Sequence, residues 1–186
     1  MARQKSPTIE LCVNALLDLC ESKPINKITV SDILRETGIA RQTFYNYFQD
    51  INSLIAYVMN YHLDLYPTVF DTKEEALASL DFFRKHKAFF SQLPKHSGQN
   101  NFRESHIRKL KGMYYQLVFQ TDDPPADSLQ KSLIDMYVYG SVNFFFDWLS
   151  SEMTEPSDEV FVETYLQAKP AFISSVVVSS LMPQGS

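Results

Sequence analysis

The chain has 186 residues, 45% of them hydrophobic and 13% aromatic, and a formal net charge of -5. That length holds one large domain or two small ones, and so rich an apolar and aromatic content excludes an intrinsically disordered chain. The acidic total excludes a protein that is basic all over, so nucleic-acid binding would have to come from a local patch.

With only five Gly, and nine Pro, the expected fold class is all-α, with helices joined by Pro-marked turns. Ser6-Pro7 opens the first helix, a cap residue followed by Pro at the first helical position. Ile9, Cys12, Val13, Leu16, Leu17 and Cys20 then recur at helical spacing, and Lys23-Pro24 ends the element. The two cysteines lie on the apolar stripe, about 12 Å apart along the axis, so core packing is their expected role. Thr29 caps a second helix that turns Val30, Ile33 and Leu34 inward, and Gly38 closes it. A third helix spans about Ala40 to Phe48. Asp50 caps a fourth, which runs to about Tyr66 and carries Leu54, Ile55, Val58 and Met59.

Beyond Pro67 the period stays helical. One helix is expected from about Lys73 to Leu93, then a turn-rich linker, "PKHSGQNN" (94–101), then a helix from about Phe102 to Phe119. "TDDPPADS" breaks the chain again. Two long apolar helices follow, about Leu129 to Ser151 and Asp158 to Val178. No apolar run approaches the ~18 residues of a membrane span, and nothing resembles a signal peptide, so a cytoplasmic, thiol-reduced protein is expected.

The segment "GIARQTFYNYFQD" (38–50) has a particular chemistry. A helix, a Gly and a second short helix make the plan of a helix-turn-helix, whose second helix enters the major groove of DNA. At about 100° per residue Phe44 and Phe48 share one face and can anchor that helix. Arg41, Gln42, Thr43 and Asn46 are left outside, with Tyr45 and Tyr47 flanking. Arg suits guanine, and Gln and Asn suit adenine. Tyr and Thr hydroxyls suit phosphate oxygens. The competing reading is an amphipathic helix whose polar face is merely hydrated.

"ITVSDILRETGIARQTFYNYFQDINSLI" (28–55) resembles the DNA-binding signature of the TetR/AcrR family of bacterial regulators. Thr29, Gly38, Ile39, Thr43, Phe44, Tyr45, Tyr47, Phe48, Asp50 and Leu54 fall in the family's positions. The resemblance implies a DNA-binding domain over 1–50 and a helical effector-binding and dimerisation domain over 51–186. It implies a transcriptional repressor that binds double-stranded operator DNA as a homodimer through its two C-terminal helices. A small-molecule or protein effector would switch it. Thr43, Tyr45 and Tyr47 would touch phosphates, Arg41 and Gln42 would approach bases, and Thr29 would present the start of its helix to the backbone. Two positions depart from the pattern: Ala40 stands where Ser or Thr is usual, and Ile51 where Lys is usual. Residues 1–60 hold six Lys/Arg and six Asp/Glu, so few ionic contacts and a shallow salt dependence are expected. These features also support the alternative of a TetR-fold interaction module or coactivator with little DNA binding of its own.

The run "GSVNFFFDWLSSEMTEPSDEV" (140–160) resembles the C-terminal region of a TetR subgroup that includes regulators of dihydroxyacetone-kinase operons. Candidate pocket residues are Tyr61, Phe83, Phe90, Tyr114, Tyr137 and Phe144, although aromatic stripes at helical spacing ordinarily form core. The four histidines are expected to face solvent, and the basic runs "RKHK" (84–87) and "RKLK" (108–111) to be solvated faces. There is no Gly-rich phosphate loop, Gly-x-Ser-x-Gly elbow, His-Glu-x-x-His or Cys-x-x-Cys. No enzyme activity, cofactor, metal or membrane partner is expected.

Overall fold

The computed structural model describes residues 6–65, 72–96 and 99–173, the side chains of 61–65 and 99–101 excepted. Among them are nine α-helices and no strand: α1 Pro7–Cys20, α2 Val30–Thr37, α3 Arg41–Tyr45, α4 Ile51–Leu65, α5 Lys73–Lys85, α6 Lys87–Phe90, α7 Gln99–Phe119, α8 Leu129–Ser150 and α9 Asp158–Ala168.

The first four helices follow the sequence signals, except that α3 ends at Tyr45 rather than at about Phe48, the chain turning over Asn46 and Tyr47. Pro7 starts α1, which buries Cys12, Val13, Ala15, Leu16, Leu17 and Cys20. Burial pushes the Cys20 thiol up to about 12, so it is an inert packing group. Ser6 does not cap with its side chain; its hydroxyl donates instead to the Tyr47 hydroxyl at 3.1 Å. At the start of α2, Thr29 and Asp32 form a reciprocal capping box. Gly38 ends α2 in the left-handed region, at φ 70°. Asp50 caps α4 by accepting from the Ser53 backbone N–H at 2.7 Å. Behind it Leu54, Ile55, Val58 and Met59 enter the core.

The second half differs from expectation in two places. The helix expected from Lys73 to Leu93 bends at His86, whose φ of -114° and ψ of 35° are not helical. One straight helix would turn Phe89 about 120° away from Phe83. With the bend Phe83, Phe89 and Phe90 are all buried, and the Phe83–Phe90 and Phe89–Phe90 ring centroids lie 4.8 and 5.0 Å apart. The helix expected from Asp158 to Val178 breaks after Ala168, and the chain is helical again over 171–173. Lys169, which precedes Pro170, is extended, because the proline ring clashes with a helical residue before it. Residues 174–178 of that expected helix, and the tail after them, lie outside the described residues.

Helix α7 packs along α8, and α5 against α9. Trp148 is fully buried at the centre, stacked on Phe161 at 4.6 Å and edge-on to Phe83 at 6.5 Å. The two basic runs are solvated at Arg84, Lys85 and Arg108, and each also supplies a brace between helices. Arg84 of α5 pairs with Asp158 at the start of α9, and Lys111 of α7 with Asp135 of α8 at 3.0 Å. Three of the four histidines are also a correction, the side chain of His62 lying outside the described ones. His96 and His106 are buried and His86 is half-buried, because each lies on the inward stripe of its own segment.

A Cβ placed at Gly38 would meet nothing within 4 Å, so the requirement for glycine there is conformational alone. Gly38→Ala is expected to lower stability by about 1–2 kcal/mol, read by urea denaturation. An unchanged midpoint would mean that the turn relaxes to negative φ.

Candidate nucleic-acid interface

Helix α3 has five residues, too few to be stable alone. Phe44, 0% exposed, and Phe48, 4% exposed, hold it to the core. Their ring centroids are 5.5 Å apart, and Phe48 continues edge-on to Tyr57 of α4 at 5.6 Å. With the aromatic face fixed, Arg41, Gln42, Tyr45, Asn46 and Tyr47 are exposed, as is Thr29 at the start of α2, and Thr43 is half-buried. Tyr45 and Tyr47 are 43% and 46% exposed, unusual for rings in a chain with ample core to fill. All seven sequence-derived interface residues therefore lie on two adjoining short segments.

Loose polar contacts hold this face in place. Arg41 donates to the Ser31 hydroxyl at 3.4 Å, and Gln42 to the Asn46 side-chain oxygen at 3.3 Å. Such exposed bonds cost little to exchange for bonds to DNA. Ala40 occupies the N-cap of α3 and supplies no side-chain bond, so the backbone N–H groups there remain available to an oxyanion.

The sequence reading missed Asp32. Its carboxylate is buried and accepts from Lys23 at 2.6 Å, from the Thr29 backbone and hydroxyl at 2.9 and 2.8 Å, and from Arg35 at 2.8 Å. These bonds, with the Lys23 ammonium foremost, hold the Asp32 carboxyl well below the usual carboxylate range. The spacing Thr-x-x-Asp before an apolar run was the signal that could have found it. Electrostatically, Lys23 and Arg35 are committed to Asp32, whereas Lys27 and Arg41 form no ion pair among the described residues.

The candidate pocket residues separate. Phe83, Tyr114 and Tyr137 line a cavity between α5, α7, α8 and α9. Phe90 lies behind Phe83 in the core. Phe144 lines a second, shallower groove along α8 and α9, shared with Tyr137. The side chain of Tyr61 lies outside the described ones. The cavity also holds His106, Ser79 and Tyr165, which the aromatic pattern did not single out. Phe102, His106, Leu110 and Tyr114 are all buried, and their four-residue spacing on α7 was the available signal.

A capped helix, a left-handed glycine and an aromatic-anchored helix with a polar outer face define a helix-turn-helix DNA-binding regulator. A family model for a TetR C-terminal domain, described as "Transcriptional regulator C-terminal region", matches residues 71–166. The chain belongs to the TetR family of transcriptional regulators. It is 26% identical over 139 residues to the HTH-type dhaKLM operon transcriptional activator DhaS of Lactococcus lactis, covering 70% of this chain and 72% of that protein. It is 25% identical over 159 residues to the HTH-type transcriptional regulator SAR2658 of Staphylococcus aureus, covering 79% and 83%. A solved structure, "Dihydroxyacetone kinase operon activator DhaS", superposes with a TM-score of 0.60 over 93% of this chain and 96% of its own, at 22% identity. These relatives are transcriptional regulators, not enzymes. No described helix is long and apolar enough to cross a membrane.

Burial pushes the His106 ring down to about 4 from an ordinary 6.5. Between those values the unfolded chain binds a proton that the folded chain does not, so stability falls as the pH falls through that window. The expected loss from pH 7 to pH 4 is on the order of 3 kcal/mol. His86 and His96 are lowered by burial too and act in the same direction, so the check is a comparison of slopes. Urea titrations across the window should show a shallower pH dependence for His106→Leu than for the parent; equal slopes would contradict the buried neutral ring.

Proposed function

We propose that the chain binds operator DNA as a homodimer through the exposed face of α3, and that an effector acting on its second half changes the spacing of the two recognition helices. The observation that carries this is the orientation of α3: its aromatic residues are locked inward, and nearly every side chain able to read a base or hold a phosphate is left outside. Arg41 and Gln42, in the first turn, approach base edges, and Asn46 extends that row one turn on. Thr43, Tyr45 and Tyr47 hold phosphates, and Thr29 presents the capped start of α2 to the backbone. With Lys23 and Arg35 tied to Asp32, the complex neutralises few phosphates, and its salt slope is shallow.

Residues 1–50 form the DNA-binding part and 51–186 the effector and dimerisation part. Three contacts couple them. Helix α4 packs against α1 on one side and α7 on the other, and α6 packs directly on α1. The Gln92 side chain, at the foot of the α5–α6 bend, accepts from the Ile25 backbone N–H at 2.8 Å, just ahead of α2. A shift of α5 against the cavity can therefore move the elbow that touches the helix-turn-helix. An effector that prefers one spacing of the recognition helices shifts the population toward it. The sign of regulation, repression or activation, follows from where the operator lies.

The dimer surface is the outer face of α8 and α9. Leu129 and Met136 are 73% and 68% exposed there, beside an apolar groove that includes Leu133, Tyr137, Phe144 and Phe172. Two such faces related by a two-fold axis bury one another. They also place two recognition helices to read half-sites about 34 Å apart.

Arg41→Ala is expected to weaken operator binding by about 1–3 kcal/mol and relax specificity at one base pair, measured by fluorescence anisotropy on operator and mutated fragments. Equal loss on all sequences would make Arg41 a phosphate contact. Tyr45→Phe should weaken all sequences alike, and an unchanged affinity would remove Tyr45 from the interface. Met136→Glu is expected to raise the dimer dissociation constant about 100-fold, as the loss of about 3 kcal/mol at an interface centre does. Sedimentation equilibrium checks this; a dimer unaffected by Met136→Glu would place the interface elsewhere.

A further inference from the structure

The cavity between α5, α7, α8 and α9 encloses about 70 Å³. Its wall is largely buried apolar side chain, with Phe83, Tyr114 and Phe161 among the rings. No Asp, Glu, Lys or Arg lines it. His106 does line it, is 5% exposed, and its Nδ1 has no hydrogen-bond partner. The polar neighbours already have internal bonds: the Ser79 hydroxyl donates to the Ala76 carbonyl at 2.6 Å, and the Tyr165 hydroxyl to the Ser141 carbonyl. A buried polar nitrogen without a partner is rare in a folded protein. Here the enclosing protein supplies none, so the cavity is the space from which one can come.

We infer that this cavity binds one small uncharged molecule, a short-chain alcohol, aldehyde or ketone, hydrogen-bonded to His106 Nδ1. The size follows from volume. A cavity of about 150 Å³ holds benzene and about 15 Å³ holds one water, so 70 Å³ takes about three to five non-hydrogen atoms. The charge follows from the wall. An ion would be stripped of water with no countercharge to pair with, and the buried ring is itself neutral in the neutral range. A single polar contact follows from His106 Nδ1 being the one orphaned atom among the residues that line the cavity, so a ligand with one hydroxyl or carbonyl fits better than a polyol. The assignment rests on the second half being the effector part, and it names a small molecule rather than a protein as the effector's class.

The test is a titration of the full chain, without DNA, followed by the imidazole nitrogen resonances of His106. The probes are propan-1-ol and acetone, with propylammonium and acetate as charged counterparts. A saturable shift of His106 Nδ1 with either neutral probe, at a Kd of about 0.1–10 mM as so small a ligand allows, and none with the charged pair, is the expected result. Ser79→Leu, which fills the cavity, should abolish the shift while leaving the helical circular dichroism unchanged. No saturable shift with any probe, or equal shifts with neutral and charged probes, would overturn the assignment and leave a cavity that holds only water. Because no DNA is present, that failure leaves the operator-binding reading untouched; a saturable titration in a protein without operator affinity would be the reverse.

Discussion

The burial of Phe44 and Phe48 is the contact on which the functional surface depends. A five-residue helix does not form alone, since nucleating it costs more than its few backbone bonds return. Two buried rings, each contributing about 1.5–3 kcal/mol, hold α3 to the core and fix its rotation. That rotation decides which side chains face outward. Aromatic content that looked excessive for so short a segment is thus divided by geometry: the phenylalanines anchor, and the tyrosines, with hydroxyls to satisfy, remain at the surface.

The surface is also economical in charge. Lys23 and Arg35 surround the buried Asp32 carboxylate and fix the start of α2. On the proposed reading, Arg41 and Lys27 remain for DNA among hydroxyl, amide and backbone donors. Recognition built this way leans on hydrogen-bond geometry rather than counterion release, which makes the precise setting of α3 matter more. The capping box and the left-handed Gly38 supply that setting from one side, and Phe48 against Tyr57 of α4 supplies it from the other.

The first half of the fold was legible because its signals are local. Ser6-Pro7, Thr29, Gly38 and Asp50 each mark a helix boundary by a bond or a dihedral angle within a few residues. The second half is governed by contacts distant in sequence. No Gly or Pro announces the bend at His86; it follows from packing Phe89 and Phe90 beside Phe83. Pro170 did announce the end of α9, but the apolar residues on both sides masked it. His106 read as a surface residue because basic residues follow it, whereas its place in the Phe102, His106, Leu110 stripe was what mattered. The exposed face of α3 was readable from the 3.6-residue period. The cavity was not, because it is made where four helices meet.

The two halves meet at α4, where α6 packs on α1, and at the Gln92–Ile25 bond, which gives the proposed coupling its physical path. The measurement that tests the central claim most directly is selection of bound sequences from a random duplex DNA pool by the full-length protein, with the winners' affinity then followed against salt. The account predicts an enriched palindrome whose half-sites lie about one helical turn apart, bound with a shallow salt slope. No enriched sequence, or binding that is indifferent to sequence and collapses steeply with salt, would contradict it and would make the polar face of α3 a surface for something other than a DNA groove.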